Sequence, residues 1–270
     1  MTRQSVSLVI PAYNEERHLS ACLDAIAAQT QVPLEVIVVD NNSTDRTAQV
    51  ARAYPFVKVI SERRQGRVFA RNAGFNAAKG NIIGRIDADI VLPPNWIEYI
   101  QAFYTNDRHY KQAWTGGGVF YNVRFPRLVG LGYSLLAFRF NWVLLGHCSL
   151  WGSNMALLRS QWQTVAGAVH LRNDIHEDLD LTMHLHSAGY GIVYDSRLKV
   201  RAQLRRIHAN RHELWGYLLW WPRTLRVHGK KVWIICWFFG VLLLYVMALS
   251  LAAADWVARR ILGRKPLPTN

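Results

Sequence analysis

The stretch Ile82-Ile83-Gly84-Arg85-Ile86-Asp87-Ala88-Asp89 ends in two acidic residues that follow an apolar run. The run predicts a short buried strand, and alternation along a strand would point Asp87 and Asp89 to the same side. Two carboxylates held this close repel each other. A divalent cation, Mg²⁺ or Mn²⁺, bound by both would remove the repulsion, because both ions prefer carboxylate oxygens. The alternative interpretation is a solvated Asp-x-Asp turn.

Other strand-like segments precede this stretch, and segments with helical spacing of apolar residues separate them. The predicted strands cover residues 6–10, 35–39, 57–60 and 82–86. This β-α-β-α-β-α-β order predicts an α/β fold with a Rossmann-like, mostly parallel, doubly wound sheet. Ligands of such sheets bind outside the carboxyl ends of the strands. Residues 11–15, 40–45 and 87–89 follow strand ends, and we expect the site there.

Two common nucleotide-binding motifs do not occur in this sequence. The first strand is not followed by G-x-G-x-x-G, and G-x-x-x-x-G-K-[ST] is absent. Dinucleotide-binding and P-loop functions therefore lose support. A nucleotide site that uses carboxylates and a metal remains compatible with the sequence.

The composition describes a folded, strongly basic protein. Its 270 residues are 51% hydrophobic and 19% charged, which excludes a disordered chain, and its net charge is +14. Basic residues concentrate between Arg197 and Lys231, just before a long apolar run, which favours membrane lipids as a partner. We find no nucleic-acid recognition motif and expect no nucleic-acid partner. Three scattered cysteines fit a reducing compartment.

Four motifs together resemble family 2 glycosyltransferases, which have the GT-A fold. They are VIPAYNE at residues 9–15, VVDNNSTD at 38–45, ARNAG at 70–74 and DAD at 87–89. The resemblance covers residues 5 to about 195. It implies transfer of a sugar from a nucleotide-diphosphate donor, with inversion at the anomeric carbon. A UDP-sugar is the favoured donor, and GDP or dTDP sugars are possible.

The resemblance also implies a set of site residues. Those expected in the nucleotide-sugar pocket are Pro11, Tyr13, Glu15, Asp40, Asn42, Arg71 and Asp87. Asp89, with Asp87, would hold the divalent cation (Mg²⁺ or Mn²⁺) that bridges the diphosphate. From the residues alone, Asp40 could equally be a turn residue or helix cap, and Arg71 could belong to a solvated helix face.

A second acidic group, Glu177 and Asp178, begins a predicted helix that runs to Gly189. Acids in a first helical turn are favoured by the helix dipole, which is the plainer interpretation. The resemblance implies instead that Asp178 is the catalytic general base and that Glu177 positions the acceptor or the base. Asp180 is the alternative base.

The acidic pair bears on the acceptor. A hydroxyl must lose a proton as it attacks, so it needs a base, whereas a polyprenyl phosphate is already an anion. The pair therefore favours a hydroxyl of a lipid-linked or cell-envelope glycan. A polyprenyl-phosphate glycosyltransferase and a non-catalytic GT-A-like binding protein remain alternatives.

The C-terminal region predicts a membrane anchor. Residues 232–254 carry no charge and are long enough to span a bilayer. We therefore predict a catalytic domain at 1–225 and a juxtamembrane and transmembrane tail at 226–270. An interfacial hairpin that does not cross is the alternative. No apolar stretch precedes the first strand, so we expect a single-pass or monotopic protein of the cell membrane with a cytoplasmic catalytic domain.

Overall fold

A computed structural model describes residues 4–123, 126–203, 211–230, 233–235 and 238–239. In this part of the chain, one sheet has the strand order β3-β2-β1-β4-β6-β5-β7. The strands are β1 (Val6–Ala12), β2 (Glu35–Asp40), β3 (Val57–Ser61), β4 (Ile82–Arg85), β5 (Gln112–Phe120), β6 (Met155–Leu158) and β7 (Gly191–Ala202).

The helices lie on both faces of this sheet. They are α1 (Leu19–Ala27), α2 (Thr47–Arg52), α3 (Arg67–Ala77), α4 (Trp96–Thr105), α5 (Pro126–Ser134), α6 (Asn141–Leu145), α7 (Arg159–Val165), α8 (Glu177–Ser187) and α9 (Arg211–Val227). A π-helical turn, Leu135–Phe140, joins α5 to α6.

The central strands are apolar on both sides because helices cover both faces. Along β1, Leu8 and Ile10 pack in one core with residues of α1 and α4. Val9, between them, points to the opposite core, which contains residues of α3, α7 and α8. This alternation is the cause of the unbroken apolar run in the sequence.

The predicted parallel, doubly wound sheet is confirmed for β1 to β4, but the second half of the sheet is mixed. Strand β6 runs antiparallel to both β4 and β5, and β5 pairs in parallel with β7. The β5–β7 register shifts between Gly116 and Gly117. Two glycines of β5 therefore lie at a β-bulge.

The chain after β1 makes a turn before the first helix. Helix α1 begins only at Leu19. Asn14 has a backbone φ of 55° and belongs to this turn. Asparagine tolerates this left-handed conformation better than most residues.

The helix α9 packs against α8 through apolar side chains. Leu225 and Trp221 of α9 belong to one cluster with Leu179 and Met183 of α8. Helix α9 continues past residues 225 and 226, between which we predicted a domain boundary. The boundary itself stays a prediction.

The predicted membrane helix lies largely outside the described residues. Of residues 232–254, only 233–235 and 238–239 are described. Within the part of the chain that the structure describes, no helix combines the length and apolarity needed to cross a bilayer. The transmembrane part of our fold prediction is therefore not supported.

Candidate active site

The carboxyl ends of β1, β2 and β4 lie side by side. The register of β1 and β2 pairs Ala12 with Asp40. Tyr13, directly after β1, is half exposed, and Pro11 and Asp40 are partly buried. Asp40 also accepts a hydrogen bond from the Ser43 amide at 3.3 Å, so it has the turn role that the sequence allowed. Pro11, Tyr13 and Asp40 thus lie at one edge of the sheet.

Hydrogen bonds fix the loop after β1 to the loop after β2. The Asn14 amide donates to Ser43 Oγ at 3.1 Å, and Asn14 Oδ1 accepts from the Thr44 amide at 2.8 Å. The Glu15 amide donates to Thr47 Oγ1 at 2.7 Å. These hydrogen bonds fix the position of each loop relative to the other at this edge of the sheet.

Two asparagines after β2 hold the loop after β3. Asn41 is buried and donates to the carbonyls of Glu62 and Arg64, each at 2.8 Å. Asn42 has a φ of 60° and donates to the carbonyl of Arg63 at 2.6 Å. The Asn42 side chain therefore positions a loop here, and its predicted contact with a nucleotide stays a prediction.

The acidic pair Asp87 and Asp89 lies in a turn rather than in a strand. Strand β4 ends at Arg85, and the Ile90 amide donates to the Asp87 carbonyl at 3.2 Å. Our argument from strand alternation was therefore wrong. Burial raises the pKa of the Cys22 thiol, and the charges of Asp89 and Asp87 add to this rise.

Arg85 joins the two acidic groups of the sequence. Its side chain is only 3% exposed, and its guanidinium contacts Asp87 at 3.1 Å and Glu177 at 3.3 Å. It also forms a close ion pair with Asp178. Burial opposes the charge of this guanidinium, but the three carboxylates outweigh burial and hold the pKa of Arg85 above its usual range. One buried guanidinium therefore pairs with three carboxylates.

Glu177 and Asp178 are the first two residues of α8, and their environments differ. The Gly152 amide donates to Asp178 Oδ2 at 2.9 Å. Burial raises the pKa of Asp178, and although Arg85 opposes this, the negative charge of Glu177 adds to it. Burial also acts on Glu177, but Arg85 and Arg67 lower the pKa of Glu177. Asp178 is therefore the more basic member of the pair.

Arg71 lies beneath the pair, completely buried. Its Nη1 donates to the backbone carbonyl of Glu177 at 2.5 Å, and its Nε and Nη2 donate to Asn72 Oδ1 at 3.0 and 2.8 Å. Burial lowers the pKa of Arg71 to about 10. The alternative of a solvated helix face is wrong. Arg71 contacts the site through the backbone of α8, and its predicted contact with the donor stays a prediction.

Residues 151–154 form a turn before β6 that connects the two acidic groups. Ser153 Oγ donates to Asp87 Oδ2 at 2.5 Å. A Cβ atom at Gly152 would lie 2.2 Å from Arg85 Nη1 and 2.6 Å from Asp178 Oδ2. Only glycine therefore lets this turn approach the ion pairs.

The sequence analysis did not name Arg85, Gly152 or Ser153 among the site residues. Arg85 had a usable signal, because a charged residue inside an apolar strand must find partners when it is buried. The alternative base, Asp180, is fully buried and accepts hydrogen bonds from His170 and His228 instead. It has no exposed surface to offer an acceptor.

The sequence of residues 7–157 matches the profile of the family described as "Glycosyl transferase family 2". The match covers more than half of the 270-residue chain. The chain belongs to this family. The resemblance seen in the four motifs is thereby confirmed.

Curated relatives share a limited region with this chain. Glycosyltransferase AglE of Haloferax volcanii is 38% identical over 100 residues, which are 34% of this chain and 33% of AglE. The match thus spans about a third of the length of that relative, as it does for the uncharacterized glycosyltransferase alr2836 of a Nostoc strain.

Solved structures show the same fold at low sequence identity. S. aureus TarS 1-349 in complex with UDP-GlcNAc has a TM-score of 0.63 at 20% identity, covering 84% of this chain and 66% of that one. The mannosyltransferase PcManGT from Pyrobaculum calidifontis, in complex with GDP-Man and Mn²⁺, has a TM-score of 0.58 at 18% identity, covering 96% and 81%. These similarities support the predicted GT-A fold.

Proposed function

We propose that this glycosyltransferase moves a sugar from a nucleotide-diphosphate donor to a hydroxyl acceptor, with inversion and with Asp178 as general base. The observation that carries the proposal is the position of Asp178. It is a mostly buried carboxylate with a raised pKa, oriented by Arg85 and by the Gly152 amide. A base that is fixed in place and more basic than an ordinary aspartate suits proton removal from a hydroxyl.

The donor would lie at the carboxyl edge of β1, β2 and β4. Tyr13 and Asp40 flank this edge, and hydrogen bonds hold the loops that contain Glu15 and Asn42. TarS has been solved with UDP-GlcNAc and with UDP, and PcManGT with GDP-Man. These relatives support a nucleotide sugar as donor, and we favour a UDP-sugar.

Asp87 and Asp89 fit a divalent cation. Both are carboxylates in one turn, the Asp87 side chain is 38% exposed, and Arg85 and Ser153 fix its orientation. Such oxygen ligands suit Mg²⁺ or Mn²⁺. When bound, this ion would stabilise the charge that develops on the leaving diphosphate. The Mn²⁺ in the PcManGT complex supports the same choice.

In this mechanism each residue near Asp178 has a separate task. Arg85 keeps the Asp178 carboxylate ionised and oriented, so that it can accept the proton of the acceptor hydroxyl. Glu177 stays ionised beside it and raises its basicity. Arg71 holds the first turn of α8 through the Glu177 carbonyl. Arg71 is therefore a positioning residue.

We further propose a lipid-linked or cell-envelope glycan as acceptor and a membrane surface as the working place, with the catalytic domain in the cytoplasm. The segment from α5 to α6 exposes large apolar side chains: Leu131, Leu135, Trp142 and Val143. Exposed apolar groups of this kind favour contact with lipid. Flotation of the purified full chain with anionic lipid vesicles tests this part, and a chain that stays at the bottom of the gradient would contradict it.

Donor binding and transfer should be measured separately. Calorimetry with UDP, GDP and dTDP, with and without Mn²⁺, identifies the nucleotide. Transfer of labelled sugar to cell-envelope extracts then compares the wild type with Asp178→Asn and Asp174→Asn. Asp174 pairs with Arg172 at the surface and makes a matched control. We expect Asp178→Asn to bind the nucleotide normally and to lose about 10²–10⁴-fold in transfer rate. The control Asp174→Asn should keep the wild-type transfer rate.

The outcomes separate the alternatives. Near-normal transfer to a polyprenyl phosphate by Asp178→Asn would favour the phosphate acceptor, which needs no base. Loss of nucleotide binding in that variant would make Asp178 a pocket residue. Nucleotide binding without turnover of any donor sugar by the wild type would favour a non-catalytic binding protein.

A further inference from the structure

A second cluster of polar side chains lies beside α8, away from the acidic pair. It consists of His170 in the loop before α8, Asp180 and His184 on α8, and His228 just after α9. We call these four residues the histidine cluster. Their ligand atoms all lie within 4.8 Å of one another. In the described part of the chain, this is the one group of three or more such side chains with the spacing of a metal site.

The separations within the histidine cluster match those between ligands of one small cation. Asp180 Oδ1 lies 2.7 Å from His170 Nδ1, 2.8 Å from His228 Nε2 and 3.5 Å from His184 Nε2. His184 Nε2 and His170 Nδ1 are 3.3 Å apart. Tetrahedral Zn²⁺ with bonds of 2.0–2.1 Å places its ligand atoms about 3.3 Å apart. The four measured values bracket this length.

Burial and hydrogen bonding prepare the carboxylate. Asp180 is 0% exposed, and the side chains of His184 and His228 are 17% and 11% exposed. The backbone amide of His170 donates to Asp180 Oδ2 at 2.9 Å, which fixes the orientation of the carboxylate and leaves Oδ1 toward the three rings. Outer contacts of this kind are typical of metal ligands.

The ring nitrogens of the cluster can act as metal ligands. His170 Nδ1 and His184 Nε2 face each other and lie within 3.5 Å of Asp180 Oδ1. A neutral imidazole keeps a lone pair on one ring nitrogen, so each of the three rings can direct a lone pair at the same point as the Asp180 carboxylate.

We propose that His170, Asp180, His184 and His228 bind one divalent transition-metal ion of the Zn²⁺ class. Imidazole nitrogens suit Zn²⁺, whereas the oxygen ligands of the Asp87–Ile90 turn suit Mg²⁺ or Mn²⁺, so the two sites are chemically distinct. Four protein ligands leave no open coordination position. The ion is therefore structural rather than catalytic.

The role of this ion follows from the elements that it joins. His228 lies at the end of α9, and Asp180 lies two residues after Asp178 on α8. Near the same place, Thr224 of α9 accepts a hydrogen bond from the His176 amide at 2.9 Å. The ion would link the C-terminal end of α9 to the helix that carries the acidic pair.

The test uses the full-length protein and three measurements with Zn²⁺ or Co²⁺ alone. We expect one zinc ion per chain by elemental analysis after dialysis, and a rise in Tm of several degrees when Zn²⁺ is returned to chelator-treated protein. Co²⁺ in the same site should give the intense visible absorption of tetrahedral coordination. His184→Gln should weaken Zn²⁺ binding at least ~100-fold.

The matched control is His186→Gln. His186 is on the same helix, but its ring stacks on His147 and does not belong to the histidine cluster. Zinc that binds equally to the wild type and to His184→Gln, or a Tm that Zn²⁺ does not move, would overturn the proposal. If His184→Gln fails to fold, the Co²⁺ spectrum of the wild type still tests the proposal. An octahedral Co²⁺ spectrum, or no Co²⁺ binding, would contradict the proposal. None of these readouts depends on sugar transfer, so the proposal can fail independently of the proposed function.

Discussion

The substitution Gly152→Ala adds one methyl group at the contact between the turn before β6 and the ion pairs. The new Cβ atom would lie 2.2 Å from Arg85 Nη1, 2.4 Å from Arg85 Cζ and 2.6 Å from Asp178 Oδ2. The backbone of Gly152 does not have a positive φ, so alanine adds no strain of its own. The effect of the substitution is therefore a steric one on Arg85 and Asp178.

The displacement can be worked out from these distances. Ordinary contact of carbon with nitrogen begins at about 3.4 Å, so the guanidinium must retreat by roughly 1 Å or the turn must lift by as much. Either movement breaks the Gly152 contact with Asp178 or the Arg85 ion pair. A misplacement of ~1 Å at a reacting group costs about 10²-fold in rate, while overpacking of this kind destabilises a fold by about 1–3 kcal/mol. We expect kcat to fall about 100-fold in a protein that stays folded.

The assay is single-turnover sugar transfer with saturating donor, together with thermal unfolding. Gly167→Ala is the matched control, because a Cβ atom there meets nothing within 4 Å. The control should keep both its rate and its Tm. A Gly152→Ala enzyme with a rate within threefold of the wild type would refute the reasoning, since the Arg85 and Asp178 geometry would then not matter for transfer.

Three further predictions concern the same group of residues. Arg71→Met leaves the Glu177 carbonyl without its buried donor, and we expect a loss of roughly 2–4 kcal/mol in unfolding free energy, measured with denaturant. Ser153→Ala removes the hydrogen bond that orients Asp87, so the Mn²⁺ concentration for half-maximal activity should rise about 10-fold in a metal titration. Transfer should require ionised Asp178. Because its pKa is raised, the acid limb of the pH–kcat profile should lie above the ordinary aspartate value of about 3.9. A limb at or below that value would contradict the assignment.

The first half of the fold was accessible from the sequence because its elements are local. The apolar runs of β1, β2 and β4 are covered by helices on both faces, and such runs alternate with helical patterns in the order that a parallel sheet requires. The place of the site followed from the same rule, because polar residues after these strands must share one edge.

The second half of the sheet was not accessible in this way. Strand β6 inserts between β4 and β5 and runs antiparallel to both. Nothing in the four residues of β6 encodes that position, since strand order depends on pairings between distant segments. The role of Gly152 has the same origin. Its close approach to Arg85 exists only after β4, β6 and α8 have come together.

Helical periodicity alone could have distinguished the two acids of α8. Asp178 and Asp180 look like one acidic group in the sequence, and we treated them as alternative candidates for one role. Residues two apart on an α-helix point about 200° away from each other. Asp178 accordingly contacts Arg85 and Gly152, while Asp180 contacts His170 and His228. The two acids therefore lie on opposite faces of one helix. A change at Asp180 should consequently be tested first for metal content and stability, whereas a change at Asp178 should be tested first for transfer.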